Sequence, residues 1–159
     1  MSTLDQTDQI LTNYPFSKIA QKIATENWMK ERISKGTWIF TTLTFKNDTA
    51  PNVAGNSIET LRHRLSKSIY KNAYRRRGKL LDVLPVIEGD NIANRVHVHA
   101  AFKVPDQLTS TEFAELLIDR WKNGRVEYRQ IIAEDINRTV GYLLKTRTKT
   151  YSENVLSAF

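Results

Sequence analysis

The run Arg95-Val96-His97-Val98-His99-Ala100-Ala101-Phe102 places two of the chain's three histidines at i and i+2, within a segment that alternates as a strand does. Residues two apart on a pleated strand point to the same face, so both imidazoles project side by side. Val96, Val98, Ala100 and Phe102 occupy the opposite, apolar face. Paired imidazoles suit metal ligation. The plain alternative is a pair of polar residues on a solvent-facing strand, and the octapeptide alone leaves both open.

A carboxylate joins them if the preceding apolar run pairs with this strand. Leu81 to Glu88 and Arg95 to Lys103 read as a hairpin, with Asp90 opposite Arg95 around the loop 91–94. In that register Ile87 faces Val98, Pro85 faces Ala100 and Val83 faces Phe102 on one apolar side. Glu88 then stands opposite His97, and Val86 opposite His99, on the other, open face. A slip by one residue would drive Glu88 into the core, which is costly for a charge. The plain alternative for Glu88 is a solvated carboxylate at a strand end. Two imidazoles and one carboxylate, with positions left for water and substrate, suit a divalent ion acting as a Lewis acid. Nitrogen ligands favour Mn, Co, Ni or Zn over Mg in raw affinity, whereas cellular abundance favours Mn or Mg, and one of these two is expected.

A second constellation falls on a helix expected from Asp135 to about Lys149. Ile136, Val140, Leu143 and Leu144 form its apolar stripe, while Arg138, Tyr142 and Lys145 cluster on the roughly opposite arc. Lys145 lies at i+3 from Tyr142, so a phenol and a cation can touch. The alternative is a surface tyrosine beside a solvated lysine.

The elements that must position these groups follow from periodicity and punctuation. Phe16, Ile19, Ala20, Ile23, Ala24 and Trp28 fit a helical stripe that Gly36 stops, and Thr37 to Phe45 reads as a strand. A loop containing Pro51 leads to a helix opened by Asn56 and Glu59 at capping-box spacing. This helix turns Ile58, Leu61, Leu65 and Ile69 inward and stops at Gly78. Thr109 and Glu112 open a third helix with the stripe Phe113, Leu116, Leu117 and Trp121, and Arg125 to Ile132 forms the last strand. After the first helix the order is β-α-β-β-α-β, then a helix. This is an α+β class with a ferredoxin-like, RRM-like antiparallel sheet, carrying an extra N-terminal helix and a C-terminal helix with the tyrosine. The first and third strands are expected in the centre. The second is expected on an edge, where Pro85 is tolerated.

A length of 159 residues with 40% apolar content suits one compact domain. The expected division is an N-terminal arm and helix over 1–36, the main domain over 37–149, and a tail over 150–159. Formal charge +7 points to an anionic partner, nucleic acid first. Absence of cysteine excludes disulfides, thiolate zinc sites and cysteine nucleophiles. No signal-peptide pattern and no run of membrane-spanning length is visible, so an intracellular protein without membrane contact is expected.

Three motifs occur in order: Thr41-Thr42-Leu43-Thr44-Phe45, His97-Val98-His99 and Tyr142-Leu143-Leu144-Lys145. Together, over about residues 37–145, they resemble those of the HUH endonucleases, in particular the single-tyrosine replication initiators (Rep) of rolling-circle plasmids and viruses. The resemblance implies a metal held by His97, His99 and Glu88, and single-stranded DNA at a replication origin as substrate. It implies Tyr142 as a nucleophile that leaves a 5′-phosphotyrosine and a free 3′-hydroxyl. A phenol titrates near about 10 in water, so Lys145 is expected to favour the phenolate or to clamp the phosphate. No Walker A motif follows, so unwinding would need a host helicase or a segment absent from this sequence, and the implied location is the cytoplasm of a prokaryotic host.

DNA contacts are expected from Lys46 in the loop after the first strand, and from Arg75, Arg76 and Arg77, with Lys67, Lys71 and Lys79 nearby. Arg138 and Arg147, with Lys149 beside it, are expected to extend the positive surface. The cations at the end of the long helix, and Arg147 and Lys149 at the end of the last one, have a plainer role as charge at a helix C-terminus, and His63 reads as a packing or solvated residue. A transposase or relaxase would share the chemistry. From another class, a catalytically silent single-stranded nucleic-acid binding module would use exposed aromatics such as Trp38 and Phe40 on the sheet.

Overall fold

The computed structural model describes residues 15–89 and 95–145. The N-terminal arm, Asp90 with the loop 91–94, Arg147, Lys149, Tyr151 and the tail lie outside the described residues, as do the side chains of Phe16, Ile19 and Lys145.

Aromatic and β-branched residues give strand β1 (Trp38–Thr44) and its neighbours β2 (Val83–Glu88), β3 (His97–Lys103) and β4 (Val126–Ile131) their extended form. They form one antiparallel sheet in the order β2-β3-β1-β4, with β1 and β3 central. The hairpin register is the expected one: Glu88 pairs with His97, Val86 with His99, and Pro85 with Ala100 on an edge strand.

Two helices cover the face that carries Ile39, Leu43, Val98, Ala100 and Phe102. These are α2 (Pro51–Tyr70), through Ile58, Leu61 and Leu65, and α4 (Ser110–Arg120), through Phe113 and Leu117. Helix α4 opens on the expected capping box, Thr109 with Glu112. Between them the short α3 (Asn72–Arg77) ends at Gly78, whose φ of 62° is the left-handed cap that glycine tolerates.

The other face is not open, which corrects the expectation for it. Helix α1 (Pro15–Ser34) and the final helix α5 (Ile136–Lys145) pack against Trp38, Leu84, Val86 and Ala101 through Met29, Ile33, Val140, Leu143 and Leu144. A buried leucine contributes about 1.5–3 kcal/mol, so the stripe on α5 fixes that helix on the sheet. The sheet thus has two cores, and the imidazole face is exposed only at its Glu88–His97 end.

Two helix expectations are revised. In α1 it is Met29 and Ile33 that are buried, while Ala20, Ile23, Ala24 and Trp28 stay exposed; Trp28 instead lies under the Arg32 guanidinium, 5.1 Å from its ring centroid. Helix α2 begins at Pro51 rather than Asn56, because proline's missing N–H and preset φ suit the first helical position. It breaks at Lys71 (φ 46°) before α3 resumes to Gly78. Asp135 stands immediately before α5, as the last residue of a 3-10 turn (Ala133–Asp135), with its carboxylate held by Arg129 and Arg138. No helix among the described residues is long and apolar enough to cross a membrane.

Candidate metal centre

Cross-strand rows place the functional side chains. The outermost row on the α1/α5 face runs Glu88–His97–Thr44, and the next runs Val86–His99–Thr42–Glu127. A third, Leu84–Ala101–Phe40–Arg129, closes against the helices. Alternation along β3 therefore delivers both imidazoles to the same corner, and the hairpin register brings Glu88 to them.

Glu88, His97 and His99 each offer a ligand atom, and these atoms lie within 4.8 Å of one another. The two Nε2 atoms are 3.0 Å apart, and a Glu88 carboxylate oxygen lies 3.4 Å from that of His97 and 3.2 Å from that of His99. Nδ1 of His97 lies 2.9 Å from the Arg95 carbonyl, which only accepts, so this nitrogen donates and Nε2 faces the cluster. Nδ1 of His99 is held by the Thr42 hydroxyl at 3.1 Å. Engagement of one ring nitrogen by an outer oxygen, with the other nitrogen free, is how metal-binding histidines are oriented.

His99 is only 4% exposed. Burial pushes its imidazole down to about 4, the neighbouring charge of His97 adds to the depression, and Glu88 opposes it. His99 is thus neutral near pH 7, the form that ligates. A neutral His99 nitrogen at hydrogen-bond distance from Nε2 of His97, with a carboxylate alongside, fits a divalent cation among them.

Tyr142 projects from α5 over this cluster. Its hydroxyl is 3.5 Å from Nε2 of His99, and its ring meets His99 and Phe40 edge-on, with centroids 4.9 and 5.7 Å away. The side chain remains 45% exposed, so a large substrate can reach it. One turn earlier, the buried Thr139 accepts a hydrogen bond from Arg129 (3.1 Å), and Arg129 also reaches Asp135 at 3.5 Å.

Other expected site residues are distributed unevenly. Lys46 is exposed at the same end of the sheet, where its carbonyl accepts from Arg95, two residues before His97. Arg138 is tied to Asp135 on the exposed side of α5. Lys145 ends α5 one turn after Tyr142. Arg75, Arg76 and Arg77 sit on α3, which precedes β2 at its Val83 end, roughly 17 Å along the strand from Glu88; they are exposed and apart from the cluster.

Sequence reasoning missed Arg129, assigned Thr42 no contact with His99, and read Phe40 only as a stacking ring of the rival module. Thr42 is the one whose signal was available, because β1 pairs antiparallel with β3 and a hydroxyl opposite His99 follows from that register. Arg129 emerges only once β4 is paired with β1 and α5 is folded over both.

Residues 38–151 match the family model of the replication-associated protein ORF2. The matched span begins at β1 and contains Glu88, His97, His99 and Tyr142, while α1 precedes it. No curated protein and no solved structure gives a match.

Proposed function

The chain belongs to the replication-associated protein ORF2 family, and on that premise we propose that it is a metal-dependent endonuclease and strand transferase acting on single-stranded DNA at a replication origin, with HUH-type chemistry and Tyr142 as its nucleophile. One observation carries the proposal: the Tyr142 hydroxyl lies 3.5 Å from His99, whose same nitrogen faces His97 and Glu88. An exposed phenol beside a Glu-His-His cluster is the arrangement that covalent cleavage of a phosphodiester needs.

Glu88, His97 and His99 would hold the ion, Mn or Mg, which supplies Lewis-acid polarisation of the scissile phosphate. Thr42 and the Arg95 carbonyl keep the two imidazoles aimed. The Tyr142 oxygen forms the bond to phosphorus as the bond to the 3′ oxygen breaks, and that oxygen leaves as a hydroxyl carrying, in net terms, the phenol proton. The product is a 5′-phosphotyrosine with a free 3′-hydroxyl. Attack by a 3′-hydroxyl reverses the step and joins strands. Lys145, three residues on along α5, is proposed to assist the phenolate or the phosphate. Lys46 and Arg138 are proposed to contact the strand, and a prokaryotic host's helicase would open the duplex.

The rival binding module would need an aromatic platform. Trp38 is 1% exposed beneath the second helical layer, and Phe40 is half-buried between His99 and Arg129, so neither ring is presented as that reading requires. The test incubates the protein with Mn or Mg and a pool of labelled single-stranded oligonucleotides, followed by denaturing gels. A protein-linked band that disappears with chelator and in Tyr142→Phe is the expected result. Salt-sensitive binding with no adduct across a diverse pool would overturn the proposal in favour of the binding module.

A further inference from the structure

The outward surface of α2 carries a basic track that the cleavage chemistry does not use. Asn56, Thr60, Arg64 and Lys67 recur at helical spacing on its exposed side. A groove of about 230 Å³ between this surface and the end of α4 is lined by Arg64, Arg120 and Lys122 together with Asn56 and Thr60, and no carboxylate lines it. A second groove, about 510 Å³, shares Asn56, Thr60 and Arg64 with the first and continues past Lys67 to Tyr74 on α3, the helix that carries Arg75, Arg76 and Arg77.

Most of the charge along this track is free of ion pairs among the described residues, the exceptions being Arg120 and Lys122, which share Asp119. Arg64 and Lys67 have no ion-pair partner among the described residues, and neither do the three arginines of α3. The one acidic side chain lining the wider groove, Glu59, is engaged by His63 at 3.2 Å and Arg62 at 3.8 Å. Asp119 lies 3.6 Å from both Arg120 and Lys122, holding those two cations side by side.

The track also connects to the cleavage end of the sheet. The carbonyl of Asn123, which lines the narrower groove, accepts the Lys46 N–H at 2.8 Å, and the Lys46 carbonyl accepts from Arg95 next to the His97 strand. Asn56 to Lys67 spans roughly 17 Å at 1.5 Å per residue, the axial length of about five base-pair steps.

We propose that the α2 face, from Arg120 and Lys122 through Arg64 and Lys67 to the arginines of α3, binds the phosphate backbone of duplex DNA flanking the cleavage site. The assignment to DNA rests on the function proposed above. Cations interleaved with amide and hydroxyl groups are the chemistry of backbone contact, which positions without reading sequence. Single-strand grooves instead present aromatic rings on which bases stack. Two aromatic side chains line the grooves, and both are engaged within the fold: Trp121 is buried with its indole donating to the Thr44 carbonyl at 3.0 Å, and Tyr74 has its hydroxyl bonded to His63 at 3.1 Å, its ring meeting that imidazole edge-on.

The test measures fluorescence anisotropy with a 20-base-pair hairpin and a 20-nucleotide single strand across a salt series. The slope of log K against log salt changes by about 0.9 for each duplex phosphate that the protein no longer neutralises. The variant Arg64→Ala/Lys67→Ala/Arg120→Ala/Lys122→Ala should flatten the hairpin slope by about 2–4 and weaken hairpin binding tenfold or more, while weakening single-strand binding less. The charge-keeping variant Arg64→Lys/Arg120→Lys should retain the wild-type slope. An unchanged hairpin slope in the alanine variant overturns the proposal, as does equal loss on both probes, or a lysine variant as impaired as the alanine one. Adduct formation is scored separately: if wild type forms none while the hairpin slope responds, the nucleophile assignment fails and the track stands.

Discussion

The His99 imidazole lies face to face with Phe40, ring centroids 5.7 Å apart and planes 16° from parallel. The Arg129 guanidinium sits 5.0 Å from the centroid of the same Phe40 ring. Phe40 therefore couples a cation on the edge strand to a histidine of the metal cluster, and its ring also braces Tyr142 edge-on. Arg129 further holds α5 through Thr139 and Asp135.

Arg129→Met should therefore disturb tyrosine placement without touching substrate binding. Hydrogen bonds to charged groups contribute about 1.5–3 kcal/mol, so the melting temperature should fall by several degrees. The rate constant for adduct formation should drop about tenfold, equivalent to about 1.4 kcal/mol, with KM for the oligonucleotide unchanged. Arg129→Lys, which keeps the charge but not the fork that reaches both partners, should fall between. A rise in KM with an unaltered rate constant would show instead that Arg129 binds DNA directly.

Metal binding can be read without activity. A ligand bound only by the folded state at a hundred times its Kd stabilises by about 2.7 kcal/mol, which for a domain of this size is about 5–10 °C in Tm. Mn should produce a shift of that order in wild type and little or none in Glu88→Gln or His97→Ala. An equal shift in all three proteins would place the ion elsewhere.

Thr42→Val removes the oxygen that holds Nδ1 of His99 while preserving shape in the strand. Loss of such an outer partner costs about 10–100-fold in metal affinity, and Mn titration followed by thermal shift should find a weakening in that range. Wild-type affinity in Thr42→Val would mean that packing against Phe40 alone orients the ring.

Without metal, His99 should make stability depend on pH. Its imidazole titrates near about 4 in the folded protein against 6.5 ordinarily, so between these values the unfolded chain binds the proton and the folded one does not. Stability should rise with pH across that window and level off above it, and the part lost on acidification is on the order of 3 kcal/mol. Urea unfolding of chelator-treated protein at pH 4.5 and 7 should show the difference, and His99→Gln should reduce it. An identical pH dependence in the variant would assign it to the carboxylates.

The hairpin was legible because a period of two, a proline confined to an edge and the cost of burying Glu88 all select one register, and that register alone builds the Glu88–His97–His99 cluster. Tyr142 was legible because the α5 stripe of Val140, Leu143 and Leu144 defines its opposite arc. What eluded pattern reading was the covering of the second sheet face. Ile23 and Trp28 look as apolar as Met29 and Ile33, and periodicity says which residues of α1 share a side, not how far along the helix its neighbour α5 extends. The α2 start was misplaced for a related reason: Asn56 and Glu59 have capping-box spacing, but Pro51 opens the helix at its first position five residues earlier, with Ala50 supplying no side-chain cap.

Gly124 gives the final prediction. A Cβ built there would stand 2.0 Å from the Thr44 carbonyl oxygen and 2.6 Å from its carbon, both backbone atoms that cannot swing away. The bend at Gly124 lets the Arg125 amide and carbonyl meet Thr44, while the Trp121 indole also donates to the Thr44 oxygen at 3.0 Å. Thr44 in turn pairs with His97. Gly124→Ala must push the end of β1 away from β4, and overpacking with backbone displacement costs about 1–3 kcal/mol. Because the displaced residue is the strand partner of a metal ligand, the variant should lose Mn affinity as well as Tm. A loss of Tm with wild-type Mn affinity would show that the ladder absorbs the strain before it reaches His97.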